Sequence, residues 1–295
     1  MRNIISKDSK VVVQGITGRE GTLHTELMLS YGTRIVAGVT PGKGGQEVHK
    51  VPVYDHVSEA VKSHGADTSI VFVPAPFARN AVVDAIDAGI KTVVVITEGV
   101  PQRDAIEFIA EANKKGDVII VGPNTPGAIN PPDRVKVGIM PGRIFKPGIV
   151  GIASRSGTLT YEIAWHVSNG GLGQSVCVGI GGDPVVGLDF VKLLEMFRDD
   201  EATKGVVLIG EIGGNAEESA ALYIKETNYP KPVVAYIAGR FAPPEKRMGH
   251  AGAIVMGSVG TAKSKIDALT DAGVPVAEKP SEIVRLLKLK RGNRQ

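Results

Sequence analysis

Short runs rich in valine and isoleucine recur from one end of the chain to the other, separated by longer stretches of helical character. No other feature constrains the fold as strongly. A strand of a parallel sheet is covered on both faces, so it reads as a continuous apolar run and not as an alternation of apolar and polar residues. Residues 10–13, 34–39, 68–73, 92–96 and 118–121 have that character, and helices are expected between them over 22–31, 58–64, 77–88 and 104–115, several followed by glycine. Strands that alternate with helices in this way build a doubly wound α/β sheet.

The pattern breaks once. Residues 123–147 hold Pro123, Pro126, Pro131, Pro132, Pro141 and Pro147, six of the chain's 18 prolines, and proline at that density interrupts regular elements. The alternation then restarts, with strands expected at 149–153, 175–178, 206–212, 233–237 and 274–276 and helices at 158–168, 189–197, 216–225, 261–271 and 281–289. The expected organisation is a Rossmann-like domain over 1–124, a proline-rich connection over 125–147 and a second, flavodoxin-like α/β domain over 148–295.

Composition removes several classes of function. A formal net charge of +3 without long blocks of like charge gives no electrostatic case for nucleic acid, and no apolar run reaches the roughly 18 residues of a membrane span. The single cysteine, Cys177, permits neither an internal disulfide nor a paired-cysteine zinc site. With no signal-peptide core at the N-terminus, the expected compartment is the cytoplasm, and no metal site is expected.

Two groups of residues carry candidate chemistry. After the first strand, residues 15–21 read Gly-Ile-Thr-Gly-Arg-Glu-Gly, placing free backbone N–H groups where an α/β domain meets an anion. The spacing departs from the dinucleotide Gly-x-Gly-x-x-Gly, and the end of the second strand offers Lys43 between glycines instead of the acid that would hold a nicotinamide ribose. These residues favour coenzyme A or a 2′-phosphorylated dinucleotide. Residues 73–76 and 96–99 end strands on the same carboxyl edge.

In the second half, Ser154, Ser156, Gly157 and Thr158 lie between a strand and a helix, where a phosphate or a plain helix cap would suit them equally. Of six histidines, His24, His49, His56, His64 and His166 stand without a supporting cluster, whereas His250 lies among small residues, Gly249, Ala251, Gly252 and Ala253. Nucleophilic or acid–base use requires a partner on one ring nitrogen, and Glu211, at the end of a buried strand and followed by Gly213 and Gly214, is the candidate.

Taken together, residues 15–21, 39–45, 96–99, 154–162, 210–214 and 248–254 closely resemble the α subunits of succinyl-CoA synthetase (succinate–CoA ligase) over essentially the whole chain. The resemblance implies an N-terminal CoA-binding domain contacting coenzyme A through Thr17, Gly18, Arg19, Glu20, Lys43, Ile96, Thr97 and Glu98. It further implies His250 as the phosphorylated residue, Glu211 orienting it, Tyr161 at the substrate, and the helix after Ser154 receiving the phosphoryl group. The partner implied is a β subunit, as αβ or α2β2, which binds the Mg-nucleotide. One departure is Thr125, where many relatives carry cysteine. A ligase for another acid such as malate, an NADP-linked oxidoreductase and a non-catalytic CoA-binding regulator stay open beside this reading.

Overall fold

The computed structural model describes residues 4–241, 249–255 and 260–292. They fall into two compact units. One gathers the described part of Arg2–Gly142 with Val185–Gly187, the other that of Arg143–Pro184 and Leu188–Gln295.

The first unit contains β1 (Val11–Gln14), α1 (Arg19–Tyr31), β2 (Ile35–Val39), β3 (Glu47–Val48), β4 (Val51–Tyr54), α2 (Val57–His64) and β5 (Thr68–Val71). It continues with α3 (Ala75–Asp87), β6 (Thr92–Val95), α4 (Gln102–Lys115) and β7 (Ile119–Val121). The sheet runs β3-β4-β2-β1-β5-β6-β7. Every pairing is parallel except β3 with β4, a small antiparallel edge that the sequence did not signal. Because the chain winds outward from β1 in both directions, a crevice opens beyond the carboxyl end of β1, and the glycine loop at 15–21 occupies that place. Val12, Val71, Val93 and Val95 are fully buried against Ala78, Val82, Ala85 and Phe108 of the covering helices. Each such side chain contributes on the order of 1.5–3 kcal/mol by leaving water.

The proline-rich segment is more regular than expected. It carries β8 (Gly127–Asn130) and β9 (Val135–Gly138), an antiparallel hairpin. Proline permits this because Pro126 precedes β8 and Pro131 and Pro132 lie in the turn, so no ladder N–H is lost. At the open end Gly127 faces Gly138; a Cβ on Gly127 would fall 2.2 Å from the Val137 carbonyl oxygen, and one on Gly138 2.2 Å from that of Pro126.

The second unit contains β10 (Pro147–Ser154), α5 (Gly157–Asn169), β11 (Gln174–Gly179), α6 (Phe190–Asp199), β12 (Gly205–Glu211) and α7 (Ala216–Glu226). It ends with β13 (Val233–Ala238), α8 (Ala262–Asp271), β14 (Val276–Ala277) and α9 (Ile283–Gly292). Its five parallel strands lie in the order β14-β13-β12-β10-β11. The register sets Ser154 against Gly179 and Ile209, and Glu211 against Ala238, so the ends of β10, β11 and β12 share one edge. Helix starts are fixed by side-chain caps: Ser156 for α5, Asp189 for α6 and Thr261 for α8. Among the described residues no helix is long and apolar enough to cross a membrane.

Candidate functional site

In the first unit the glycine loop is shaped by contacts that exclude side chains. Gly15 takes a φ of 79°, and a Cβ on Gly21 would meet the Gly15 carbonyl oxygen at 2.1 Å. The loop therefore folds back on its own helix, leaving Gly18, Arg19 and Glu20 exposed at the N-terminus of α1. The Thr17 hydroxyl lies 3.1 Å from Thr40 Oγ1, linking this loop to the end of β2. Beyond it, the main-chain N–H groups of Lys43 and Gly44 donate to Asp55 Oδ1 at 3.1 and 3.0 Å. Those amides, Gly44 foremost, hold the Asp55 carboxyl below its ordinary range. The backbone of the Lys43 loop is thus fixed while its side chain stands in solvent.

A cavity of about 220 Å³ lies beside the start of α1, lined by Glu20, His24, Phe72, Val73, Ile96, Thr97, Glu98 and Ile139. Four residues singled out from sequence, Glu20, Ile96, Thr97 and Glu98, meet there. Thr97 is anchored by its hydroxyl to the Val73 carbonyl at 2.8 Å. His24 and Phe72 were not anticipated; their rings stack 5.6 Å apart. Burial, and then the Lys136 cation, lower the His24 pKa.

In the second unit the edge of the parallel sheet brings His250 and Glu211 together. His250 Nδ1 lies 3.0 and 2.9 Å from the two Glu211 carboxylate oxygens. An ionised carboxylate only accepts, so the proton of this bond sits on Nδ1 and the Nε2 lone pair is left free. The Glu211 hydrogen bond raises the His250 pKa against the opposing effect of burial. The His250 ring rests on Gly182, where a Cβ would come within 2.5 Å of Cγ. Arg247 and Met248, which precede this loop in sequence, lie outside the described residues.

Ser154 is fully buried, and its hydroxyl closes a local turn, donating to the Ser156 carbonyl at 2.9 Å and accepting from the Ser156 N–H at 3.1 Å. Ser156 caps α5 by accepting from Leu159 N–H. What remains open at this helix start is the backbone around Gly157, where a Cβ would meet nothing within 4 Å, and the exposed Thr158. Tyr161 is half-buried, and burial pushes its phenol up to about 12.

Behind Glu211 lies a group of charges that the sequence reading did not single out. Arg155 Nη1 reaches the Glu217 carboxylate at 3.0 Å and the carbonyl oxygens of Gly213 and Glu211 at 3.0 and 3.3 Å. Arg155 Nη2 lies 3.6 Å from Glu211 Oε1. Lys265, with no exposure at all, pairs with Glu217 and with Glu218. Among the described residues no cluster of three or more histidine, cysteine, aspartate or glutamate side chains is arranged to hold a metal ion.

The description "CoA binding domain" matches residues 6–99, and "CoA-ligase" matches residues 153–275. The α subunit 2 of an ADP-forming succinate–CoA ligase from Archaeoglobus fulgidus is 58% identical over 97% of this chain and 99% of its own length. The chain belongs to the succinate–CoA ligase α-subunit family. The corresponding α subunit from Aquifex aeolicus is 57% identical over 96% of the chain and 92% of its own length. Among solved structures, an ATP citrate lyase from Methanothrix soehngenii, in complex with citrate and coenzyme A, superposes with a TM-score of 0.90 at 25% identity. That match covers 99% of this chain, which spans about half the length of the lyase, 51%.

Within the succinate–CoA ligase family frame, the glycine loop, Lys43 and Ile96 to Glu98 all fall in the CoA-binding match, while Ser154 to Thr158, Glu211 and His250 fall in the CoA-ligase match. Relatives named as ligases do not favour the nicotinamide-linked or purely regulatory alternatives. Thr125, the departure seen in the sequence, is buried, and its hydroxyl accepts the Gly127 N–H at 3.0 Å, fixing the turn into β8.

Proposed function

We propose that this chain is the catalytic α subunit of a succinate–CoA ligase, working with a nucleotide-binding β subunit in the cytoplasm. The reaction is succinyl-CoA + NDP + phosphate ⇌ succinate + CoA + NTP. A phosphate oxygen attacks the thioester carbonyl and the CoA thiolate leaves, giving succinyl phosphate. His250 Nε2 then attacks phosphorus, and the succinate carboxylate departs with the bonding electron pair. The phosphohistidine finally passes its phosphoryl group to the NDP held by the β subunit.

The observation that carries this reading is the pairing of His250 Nδ1 with Glu211, which orients the ring and leaves one nitrogen nucleophilic. The open amides at the start of α5 supply partial positive charge for the phosphoryl oxygens. On the other unit, the N-terminus of α1 and Lys43 face the phosphates of CoA, with Thr17, Gly18, Arg19 and Glu20 at the loop and Ile96, Thr97 and Glu98 along the cavity. Tyr161 borders the acyl substrate. Because the named relatives are ADP-forming ligases, ADP and ATP are the first nucleotide pair to test.

The experiment is to incubate the chain and its β subunit with γ-labelled ATP or GTP and map phosphate that is acid-labile and base-stable. Wild-type protein should carry it on His250. His250→Asn should bind CoA normally and take up none. Label in His250→Asn at the wild-type level would place the carrier elsewhere and end this mechanism.

A further inference from the structure

Glu217 touches no residue assigned to substrate, yet it is among the most completely buried carboxylates of the second unit, 1% exposed in the first turn of α7. Three different elements converge on it. Its Oε1 accepts the main-chain N–H of Glu211 at 3.1 Å and Arg155 Nη1 at 3.0 Å, while its Oε2 accepts from Lys265. Space for this carboxylate exists because residue 210 is glycine: a Cβ there would fall 2.6 Å from Glu217 Cγ and Oε1.

The Arg155 guanidinium therefore stands between two carboxylates and is bonded to only one. It is in hydrogen-bond contact with Glu217, but its nearest approach to the Glu211 carboxylate is 3.6 Å. Were it to close on Glu211, a charge-assisted bond would draw off the negative charge that now faces His250 Nδ1. The strand end is tied to the same carboxylate, because Glu217 also holds the Glu211 N–H.

We propose that Glu217 is a positioning residue: by holding Arg155 and the Glu211 main chain, it keeps the Glu211 carboxylate free for His250. This rests on the reading of His250 as the phosphoryl acceptor, but its own test does not require phosphorylation. The charged groups facing the imidazole are Glu211 from β12, Arg155 from the turn into α5 and Asp183 from the segment after β11. Glu211 and Asp183 favour the imidazolium, and Arg155 opposes it.

The test is a nitrogen-resolved NMR titration of His250 in the full-length chain without ligands, compared across variants. Glu217→Gln keeps the shape but removes the charge that retains Arg155, so the His250 midpoint should fall by about half a unit or more. Glu218→Gln removes the same charge from the neighbouring residue, which also pairs with Lys265 but contacts neither Arg155 nor Glu211, and should give less than half that shift. In an Arg155→Met background, Glu217→Gln should add no further fall, since the group it restrains is gone.

An unchanged midpoint in folded Glu217→Gln, or an equal shift in Glu218→Gln, would overturn the proposal. If Glu217→Gln does not fold, Glu217→Asp takes its place: the charge is retracted by one methylene, the midpoint should still fall, and no fall would again overturn it. Failure of the wild-type chain to take up phosphate would count against the proposed function alone and leave the titration to judge Glu217.

Discussion

Lys136, in the second position of β9, is 3% exposed, and among the described residues its ammonium meets neither a carboxylate nor a hydrogen-bond acceptor. Burial lowers its pKa from 10.5 to about 8. That lowering corresponds to roughly 3 kcal/mol at about 1.36 kcal/mol per unit. Relaxation around a buried charge generally reduces such a penalty, so about 2–3 kcal/mol is the working figure. The sign follows from proton counting. Between pH 8 and 10.5 the unfolded chain binds a proton that the folded chain has shed, so stability rises with pH across that window and the penalty is complete below it. Lys136→Met keeps the apolar stem, and the strand itself is held independently by main-chain bonds of residue 136 to the Thr33 hydroxyl at 2.9 and 2.7 Å. The variant should therefore be more stable than wild type by about 2–3 kcal/mol at pH 7, and the advantage should close as pH approaches 10.5. Urea unfolding of the full chain, followed by far-ultraviolet circular dichroism at both pH values, measures the difference. A Lys136→Met chain less stable than wild type at pH 7 would show that the ammonium is paired and would refute the reasoning.

Three further outcomes are expected. Lys43→Ala should weaken CoA binding by about 10-fold or more, the loss of one charge-assisted contact, and should affect dephospho-CoA less if the cation meets the ribose phosphate; calorimetric titration with both ligands separates the cases. Gly182→Ala puts a Cβ 2.5 Å from His250 Cγ, so it should displace the ring and abolish phosphohistidine formation while CoA binding to the other unit persists. The acid limb of phosphohistidine formation should lie above pH 6.5, because an imidazolium has no free lone pair and Glu211 raises the His250 pKa; Glu211→Gln should move that limb down and slow the step, read by quenched-flow labelling.

The strands were legible where burial on both faces left an unambiguous apolar run, as in β1, β5, β6 and β12. They were not legible in β3 and β4, two and four residues long with Pro52 inside β4, or in β8 and β9, where the prolines that suggested interruption turn out to flank the strands. The pairing of Glu211 with His250 was readable because Glu211 ends a buried strand beside glycines and His250 lies in a loop of small residues. Arg155, Glu217 and Lys265 were not. Each has the side chain of a solvated surface residue, and only the packing of α7 and α8 over the end of β12 turns three ordinary charges into buried neighbours. A serine–arginine–serine run at a strand end was a signal for Arg155 that the sequence reading passed over; Lys265, in mid-helix, gives none.

The backbone around His250 is docked in a particular way. The Gly252 N–H donates to the Gly182 carbonyl at 3.1 Å, the Gly213 N–H to the Gly260 carbonyl at 2.8 Å, and a Cβ on Gly213 would overlap the Gly252 carbonyl at 1.9 Å. These attachments run between peptide groups, which carry no net charge and do not titrate. On the proposed mechanism, placing a dianionic phosphoryl group on the imidazole, and later removing it, would change the electrostatics of the side chains without titrating the bonds that fasten this backbone. A carrier at this position, as proposed, would be loaded and unloaded through many turnovers while its mooring stays indifferent to the cargo.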